Sequence, residues 1–141
     1  MSLFRRAFEA LETRRAVSIA RCLRRHIAPG ETVIDIGCGS LLVADEVQRA
    51  TGARVFGLET LAYRKRRLPM ALYSRRAPFG DGAFDAALIG FALHHCEDGG
   101  IGVLAEARRL ARKRVIVLED SYDTPIERSV IRRLDGLLNR L

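Results

Sequence analysis

Residues 33–39, Val-Ile-Asp-Ile-Gly-Cys-Gly, place one acid inside an apolar run that ends in a pair of glycines. A short continuous apolar run of this kind is typical of a strand that is buried on both faces of a sheet. Glycines directly after it predict a tight loop in which the backbone can approach a ligand closely. The stretch therefore predicts a buried strand, opened by Thr32, that runs into a glycine loop.

Strand and helix patterns alternate along the rest of the chain. Alternation of this kind implies right-handed crossovers and a parallel sheet with helices on both faces. We therefore expect an α/β, Rossmann-like sheet of about five strands in the order 3-2-1-4-5. The later strands are predicted at residues 54–59, 71–74, 84–91 and 114–119, and helices at 41–50, around the basic residues 64–67, and at 100–111.

Both ends of the chain are predicted to be helical. Apolar residues recur at helical spacing over an N-terminal segment, residues 3–28, and again after a capping box at 124–127. Ser40 is expected to cap the helix that follows the glycine loop. The 141 residues suit a single domain, residues 1–141.

Composition restricts the classes of function. Hydrophobic residues make up 48% of the chain and charged residues 29%, which argues against disorder. The longest uncharged stretch, residues 86–96, is far shorter than the roughly 20 residues of a membrane span. Three cysteines without CxxC spacing predict no disulfide framework and no metal site, and they suit the cytoplasm. The net charge of +7 favours anionic partners, but the basic residues are scattered, so a nucleic-acid partner is less favoured.

Several interpretations compete for the glycine loop. A dinucleotide fingerprint needs G-x-G-x-x-G, but Leu42 stands at the third glycine position, and no P-loop Lys-Ser/Thr pair is present. Asp35 instead favours a ligand with cationic groups, such as S-adenosylmethionine. Glu59, at the end of the second strand, can accept both hydroxyls of a ribose. A glycine turn that only joins strand to helix, with Glu59 exposed and without a role, stays open as the alternative.

Taken in order, these motifs resemble class I S-adenosylmethionine-dependent methyltransferases, especially those of type 11. The resemblance covers residues from about 15 to 120 in the correct order. The similar segments are residues 33–39 (first motif), 55–59 (acidic end of the second strand), 77–85 (APFGDGAFD, similar to LPFxDxxFD), 92–95 (ALHH, similar to LHH) and 104–119 (the last helix and strand). Leu41 replaces a glycine of the family pattern, and Tyr73 replaces an acid.

The resemblance implies a transferase that binds S-adenosylmethionine at the carboxyl ends of its strands. The implied contacts are made to the methionine part by Asp35, Gly37, Cys38 and Gly39, to the ribose by Glu59, to the adenine by Tyr73 and Ser74, and at the pocket floor by Gly90 and Phe91.

His94 and His95, which follow the fourth strand, are candidate catalytic residues. Methyl transfer from a sulfonium needs mainly alignment and exclusion of water, and a base within about 3 Å helps when the acceptor is a hydroxyl or a protonated amine. Packing and hydrogen bonding in the turn is the alternative role for both histidines. Glu119, at the end of the fifth strand, is expected to lie in a solvated loop.

The sequence thus predicts methyl transfer from S-adenosylmethionine to a small-molecule or lipid-like acceptor. A catalytically inactive, methyltransferase-like binding or assembly partner is the alternative. RNA methylation is less favoured and depends on the basic residues at 64–67 and 75–76. Family members continue into an antiparallel strand pair, which we expect this chain to lack because it stops at Leu141. The fifth strand is then expected to be an open edge through which a homodimer can form.

Overall fold

The computed structural model describes residues 3–61, 65–73, 76–96 and 98–120, with side chains from residue 9 onward. Within these residues a parallel sheet has the order β3-β2-β1-β4-β5, which confirms the predicted α/β fold. The strands are β1 (Thr32–Ile36), β2 (Arg54–Glu59), β3 (Met70–Leu72), β4 (Phe84–Gly90) and β5 (Ala111–Leu118). The helices are α1 (Leu3–Leu23), α2 (Leu42–Thr51) and α3 (Ile101–Leu110), with a short 3₁₀ turn at Leu93–His95.

Helices cover both faces of the sheet, as predicted. Successive side chains of a strand point to opposite faces, so each strand contributes to two apolar layers. On one face, Val33 of β1 belongs to a buried cluster with Ala20 of α1 and Val47 of α2. On the other face, Ile34 belongs to a cluster with Leu110 of α3. We call these the α1/α2 face and the α3 face.

α2 begins differently from the prediction, because Ser40 does not cap it. Leu41 is the N-cap residue, in the left-handed conformation with φ of 64°, and no side chain caps the helix. The left-handed conformation costs a non-glycine residue roughly 1–2 kcal/mol, which explains why the family pattern has glycine there. The Leu41 side chain is fully buried, and a Cβ on Gly57 of β2 would lie 2.5 Å from its Cδ2. Glycine at position 57 therefore makes room for the leucine.

The basic helix expected around residues 64–67 is absent from its described part, since residues 65 and 66 form bends. The Lys65 N–H donates to the Ser40 carbonyl at 2.9 Å, and Arg66 lies 3.3 Å from the Asp45 carboxylate of α2. These contacts hold the segment against the glycine loop and α2.

β5 begins earlier than predicted, directly where α3 ends. At its start, Arg112 Nη2 and Lys113 Nζ lie 2.8 and 2.9 Å from Oδ1 of Asp85 in β4. The other oxygen of Asp85 accepts hydrogen bonds from the N–H and the hydroxyl of Thr32 in β1, at 2.9 and 3.0 Å. This cluster, which we call the Asp85 ion cluster, joins the amino ends of three adjacent strands.

The other helix and strand ends differ from prediction by a few residues. α1 ends at Leu23 rather than at residue 28, and β3 spans Met70–Leu72 rather than residues 71–74. The predicted C-terminal helix falls within residues 121–141, outside the described residues, as does any strand beyond β5. Among the helices that are described, none has the length and apolar character of a membrane span.

Candidate functional site

The carboxyl ends of β1, β2 and β4 lie side by side at one edge of the sheet. Ile36 of β1 is in register with Leu58 of β2 and Ile89 of β4. The residues that follow these positions are therefore neighbours in space. They are the glycine loop (residues 37–40), Glu59, and the pair Gly90 and Phe91.

Asp35 and Glu59 point to the same α1/α2 face of the sheet. Asp35 shares that face with Val33, and Glu59 shares it with Val55, because side chains alternate along a strand. Asp35 is only 3% exposed, and its carboxylate accepts no hydrogen bond from any described residue. Burial, together with the nearby Glu59 carboxylate, raises the pKa of Asp35 to about 7. The site therefore holds a buried acid without a partner.

The glycine loop is tied to the end of β2. Gly37 has φ of 74°, and a Cβ there would lie 2.7 Å from the Cβ of Ala92, so only glycine fits. The Gly37 N–H donates to the Leu58 carbonyl at 2.8 Å. The Gly39 N–H donates to Oε2 of Glu59 at 2.9 Å. The predicted ribose-binding acid therefore contacts the loop directly.

Cys38 and Cys96 are neutral thiols near this edge. Burial, and then the charges of Asp35 and Glu59, raise the pKa of the Cys38 thiol to about 12. Burial also raises the pKa of Cys96. Because the thiolate is the nucleophilic form, neither residue is suited to attack an electrophile at neutral pH.

Open space lies above the ends of β1 and β4. A Cβ added to Gly39 or to Gly90 would meet no other atom within 4 Å. The Glu59 carboxylate contacts Gly39 at this space, and the buried Asp35 carboxylate lies near enough to Glu59 for the two charges to interact. Carboxylates can accept hydrogen bonds from an ammonium group and from hydroxyl groups. These two acceptors fit S-adenosylmethionine, which carries an ammonium at one end and ribose hydroxyls in its nucleoside.

Phe91 lies directly after β4 in the left-handed region, with φ of 55°. Its N–H donates to the Leu118 carbonyl at 2.8 Å. The guanidinium of Arg15 lies 4.2 Å from the centre of its ring and 3.5 Å from the Asp120 carboxylate. α1 therefore reaches the carboxyl ends of β4 and β5. Sequence reasoning missed Arg15, since Asp120 is 105 residues away and no local pattern links the two.

Glu119 holds the 3₁₀ turn that carries the two histidines. Its Oε2 lies 2.9 Å from Nδ1 of His94, and its Oε1 accepts the Leu93 N–H at 2.8 Å. An ionised carboxylate only accepts hydrogen bonds, so Nδ1 of His94 carries the proton. Glu119 is exposed and follows the end of β5, as predicted, and the structure adds its contacts with this turn. His95 is exposed, and its ring centre lies 4.0 Å from that of His94.

Tyr73 follows β3 beside the predicted adenine region. Its N–H donates to the Glu59 carbonyl at 3.0 Å, and its half-buried ring packs with the cluster on the α3 face. Burial is the largest cause that raises the pKa of its hydroxyl. Ser74, the other residue predicted near the adenine, lies outside the described residues.

A pocket of about 510 Å³ lies between α1 and the segment after β2, apart from the residues described above. It is lined by Glu9, Ala10, Glu12, Thr13, Leu42, Lys65 and Arg66. Because neither Asp35 nor His94 lines it, this pocket is not where the predicted cofactor and base would meet. No cluster of His, Cys, Asp and Glu able to hold a metal ion is found in the described part of the chain.

Comparison with known proteins identifies the family. The sequence model of a methyltransferase domain family matches residues 34–118. No curated protein matches the chain significantly. A structure of the Haloferax volcanii Trm112 methyltransferase activator, in complex with a protein described as a methyltransferase, matches with 25% identity and a TM-score of 0.51. That match covers 60% of this chain and 42% of the other.

Two further structures share the fold. The 1,6-didemethyltoxoflavin-N1-methyltransferase of Burkholderia thailandensis, solved with its substrate and S-adenosylhomocysteine, is 22% identical with a TM-score of 0.59, over 72% of this chain and 51% of that one. A Methanococcus maripaludis protein described as an S-adenosylmethionine-dependent methyltransferase is 13% identical with a TM-score of 0.62, over 84% and 61%. The chain thus spans less than two thirds of each of these structures. Since the family match covers more than half of the chain, this protein belongs to the methyltransferase domain family, of the class I S-adenosylmethionine-dependent type.

Proposed function

We propose that this protein transfers the methyl group of S-adenosylmethionine to a small-molecule or lipid-like acceptor. Membership of the family supports methyl transfer in general. The observation that carries the cofactor proposal is Asp35, a buried carboxylate that accepts no hydrogen bond from the described residues and shares a face with Glu59. Burying an unpaired charge destabilises a fold, and a cationic ligand group beside Asp35 offsets that cost.

Each part of the cofactor has a proposed place at this edge. Asp35 binds the ammonium, with the loop residues Gly37, Cys38 and Gly39 around the methionine part. Glu59 accepts the ribose hydroxyls. Its Oε2 also accepts the Gly39 N–H and its Oε1 the N–H and hydroxyl of Thr60, so the ribose hydroxyls share these oxygens with the loop contacts. The adenine lies near Tyr73 and Ser74, above a floor made by Gly90 and Phe91. When bound, S-adenosylmethionine supplies an electrophilic methyl group on a sulfonium.

Asp35→Asn is expected to weaken binding of S-adenosylmethionine by roughly 10- to 100-fold, which corresponds to one charge-assisted hydrogen bond. The wild-type affinity should rise as the pH is raised towards 7, because only the ionised Asp35 binds a cation and its pKa is about 7. The affinity of Asp35→Asn should lack this rise. Isothermal titration calorimetry at several pH values measures both effects.

Asp81→Asn is the matched control for this titration, since Asp81 is an exposed acid that pairs with Arg109, away from the glycine loop. It should bind like the wild type. Absence of heat from the wild type at millimolar S-adenosylmethionine would reject the cofactor proposal, and equal losses in the two variants would remove Asp35 from it.

His94 is the proposed base, and Glu119 its positioning residue. With Nδ1–H donated to Glu119, Nε2 is the ring atom that can accept a proton. Nε2 would take the proton that the acceptor hydroxyl or ammonium gives up as its oxygen or nitrogen is methylated. S-adenosylmethionine, when bound, would supply the methyl group and keep the electrons of the broken carbon–sulfur bond on its sulfur. The contact from Glu119 favours His94 over His95 for this role.

His94→Gln is expected to lower kcat/KM by a factor on the order of 10²–10⁴, the usual contribution of a general base. His95→Gln, the matched control, should change it little, because no contact with Glu119 orients that ring. Release of S-adenosylhomocysteine, measured with a panel of small phenols, primary amines and hydroxylated lipids, reports the rate. Equal effects of the two variants would contradict the assignment of His94.

The second candidate function is a methyltransferase-like protein that binds a partner without catalysis. The buried Leu41, in place of a loop glycine, favours it. Cofactor binding without turnover across the acceptor panel would support this candidate over the first. RNA methylation loses part of its basis, since Arg66 and Arg76, from its two basic runs, are paired with Asp45 and Asp81.

Two further proposals concern partners and location. β5 is an edge strand of the described sheet, and Val117 on it is 42% exposed, which supports a homodimer formed through this edge. Sedimentation at two concentrations tests it, and a monomer at both would reject it.

Cys22, Cys38 and Cys96 are unpaired thiols, which supports the reducing cytoplasm as the compartment. Recovery of the protein in a membrane or extracellular fraction would contradict this.

A further inference from the structure

Four exposed arginines lie close together in sequence on α1 and in the turn that follows it. Arg14 and Arg21 of α1, and Arg24 and Arg25 in the turn after it, are exposed and form no ion pair with any described acid. We call these four residues the α1 arginine face. Elsewhere many arginines are paired with acids, namely Arg49, Arg66, Arg76, Arg109, Arg112 and Arg114.

The geometry of α1 places this face opposite the core. Ala16, Ala20 and Leu23 are buried towards the α1/α2 cluster, and at 100° per residue Arg14 and Arg21 lie on the other side of the helix. These two arginines are two turns apart, about 10 Å along the helix axis. Cations near the carboxyl end of a helix interact favourably with its dipole. That effect accounts for the arginines at the end of α1 but not for Arg14 in its middle.

We propose that the α1 arginine face binds single-stranded RNA through its phosphates. Unpaired guanidinium groups can bind phosphate oxygens in pairs and can stack on unpaired bases, which lysine cannot do. The residue next to Arg14, Arg15, lies over Phe91 and is paired with Asp120, so it is not part of this face. The proposal does not depend on methyl transfer.

A membrane surface fits this face less well than RNA does. A helix that lies in a membrane interface inserts an apolar side between the lipids. The apolar side of α1 is already buried, and Leu11 is the one exposed large hydrophobic residue among its described side chains. The remaining exposed neighbours of the arginines, such as Ser18 and Cys22, are small.

The test compares two triple variants that remove the same number of charges. Arg14→Gln/Arg21→Gln/Arg25→Gln removes three of the four charges of the α1 arginine face. Arg54→Gln/Arg67→Gln/Arg108→Gln is the control, because those arginines are also exposed and without a described acid partner, but lie elsewhere on the surface. Fluorescence anisotropy with a labelled oligouridine of 20 nucleotides, over a series of salt concentrations and without cofactor, measures binding.

We expect the first variant to bind RNA about tenfold or more weakly than the wild type. The slope of log K against log[salt] should become shallower by about 2, because each of the three lost phosphate contacts contributes about 0.7 to it. The control variant should lose less than about threefold. Equal losses in both variants would overturn the proposal in favour of net charge alone. The proposal would also be overturned if the wild type bound phosphatidylserine vesicles but not RNA, or if it bound no RNA at low salt. Circular dichroism shows whether both variants are folded.

Discussion

Asp35→Asn is expected to raise the free energy of unfolding above pH 7, by on the order of 4 kcal/mol, in the protein without cofactor. The carboxyl group is buried and has no hydrogen-bond partner in the part of the chain that the structure describes, and its pKa is raised from 3.8 to about 7. An asparagine of the same shape carries no charge and removes the cost of burying one. A residue that weakens the fold in this way fits a binding role better than a structural one.

The pH dependence follows from the sign of that shift. Between pH 4 and pH 7 the folded chain keeps a proton on Asp35 that the unfolded chain has lost. Wild-type stability therefore falls as the pH rises through this window, and the loss is complete above pH 7. Below pH 4 both states are protonated, so Asp35→Asn should match the wild type there.

Urea denaturation at pH 4, 5.5 and 8 measures this difference. Saturating S-adenosylmethionine should stabilise the wild type more than the variant, because the ligand cation partners Asp35 only when it is ionised. If the two proteins are equally stable at pH 8 without ligand, the Asp35 carboxylate has a partner, and the main argument for the cofactor site fails.

The sheet could be predicted from the sequence because its strands are short apolar runs. β1 and β2 begin and end at the predicted residues, since their buried patterns leave little choice of face or register. The parallel order also brings Asp35 and Glu59 to one edge without any knowledge of side-chain positions. The fold, and the position of the proposed cofactor-binding edge within it, thus follow from local pattern and topology.

Contacts between distant parts of the chain could not be predicted in this way. Lys65 and Arg66 have the composition of a helix, but contacts with Ser40 and Asp45 hold them in bends. Glu119 has the sequence context of a solvated strand end, yet it binds His94 and the turn. In each case the deciding partner is remote in sequence, and local propensity is a weak guide against such tertiary contacts.

The Asp85 ion cluster gives the second large effect, with the opposite sign. Asp85→Asn is expected to lower the free energy of unfolding at pH 7 by roughly 3 kcal/mol, because a buried carboxylate that accepts several hydrogen bonds is replaced by a neutral group with only one acceptor oxygen. Asp85 is 5% exposed, whereas Arg112 and Lys113 are about half exposed and can turn to water. The loss therefore comes mainly from the contacts of the aspartate itself.

Hydrogen bonds from the Thr32 N–H, and then from Lys113 and Arg112, hold the pKa of Asp85 well below its usual range. A group whose pKa is lowered by folding stabilises the protein when the pH is above its pKa in the unfolded state, which is near 4 for Asp85. This stability is lost as the pH falls below that value. Hydrogen bonds from the Ala28 N–H, and then from Arg114 and Lys113, lower the pKa of Glu31, and Arg109 lowers the pKa of Glu106. Acid therefore acts on several groups in the same direction.

From Asp35 and Asp85 together, we expect the wild type to be most stable near pH 4 to 5. Below that range the ion clusters lose stability as their acids are protonated, and above it the ionisation of Asp35 lowers stability. Asp35→Asn should remove the fall in stability between pH 4 and pH 7, and Asp85→Asn should reduce the fall in stability below pH 4. Because the chemical change is the same, each variant is the control for the other. Urea midpoints from pH 2.5 to 8 test both. Parallel profiles for the two variants would contradict the assignment of opposite environments, because one chemical change would then act alike on an unpartnered acid and on a strongly paired one.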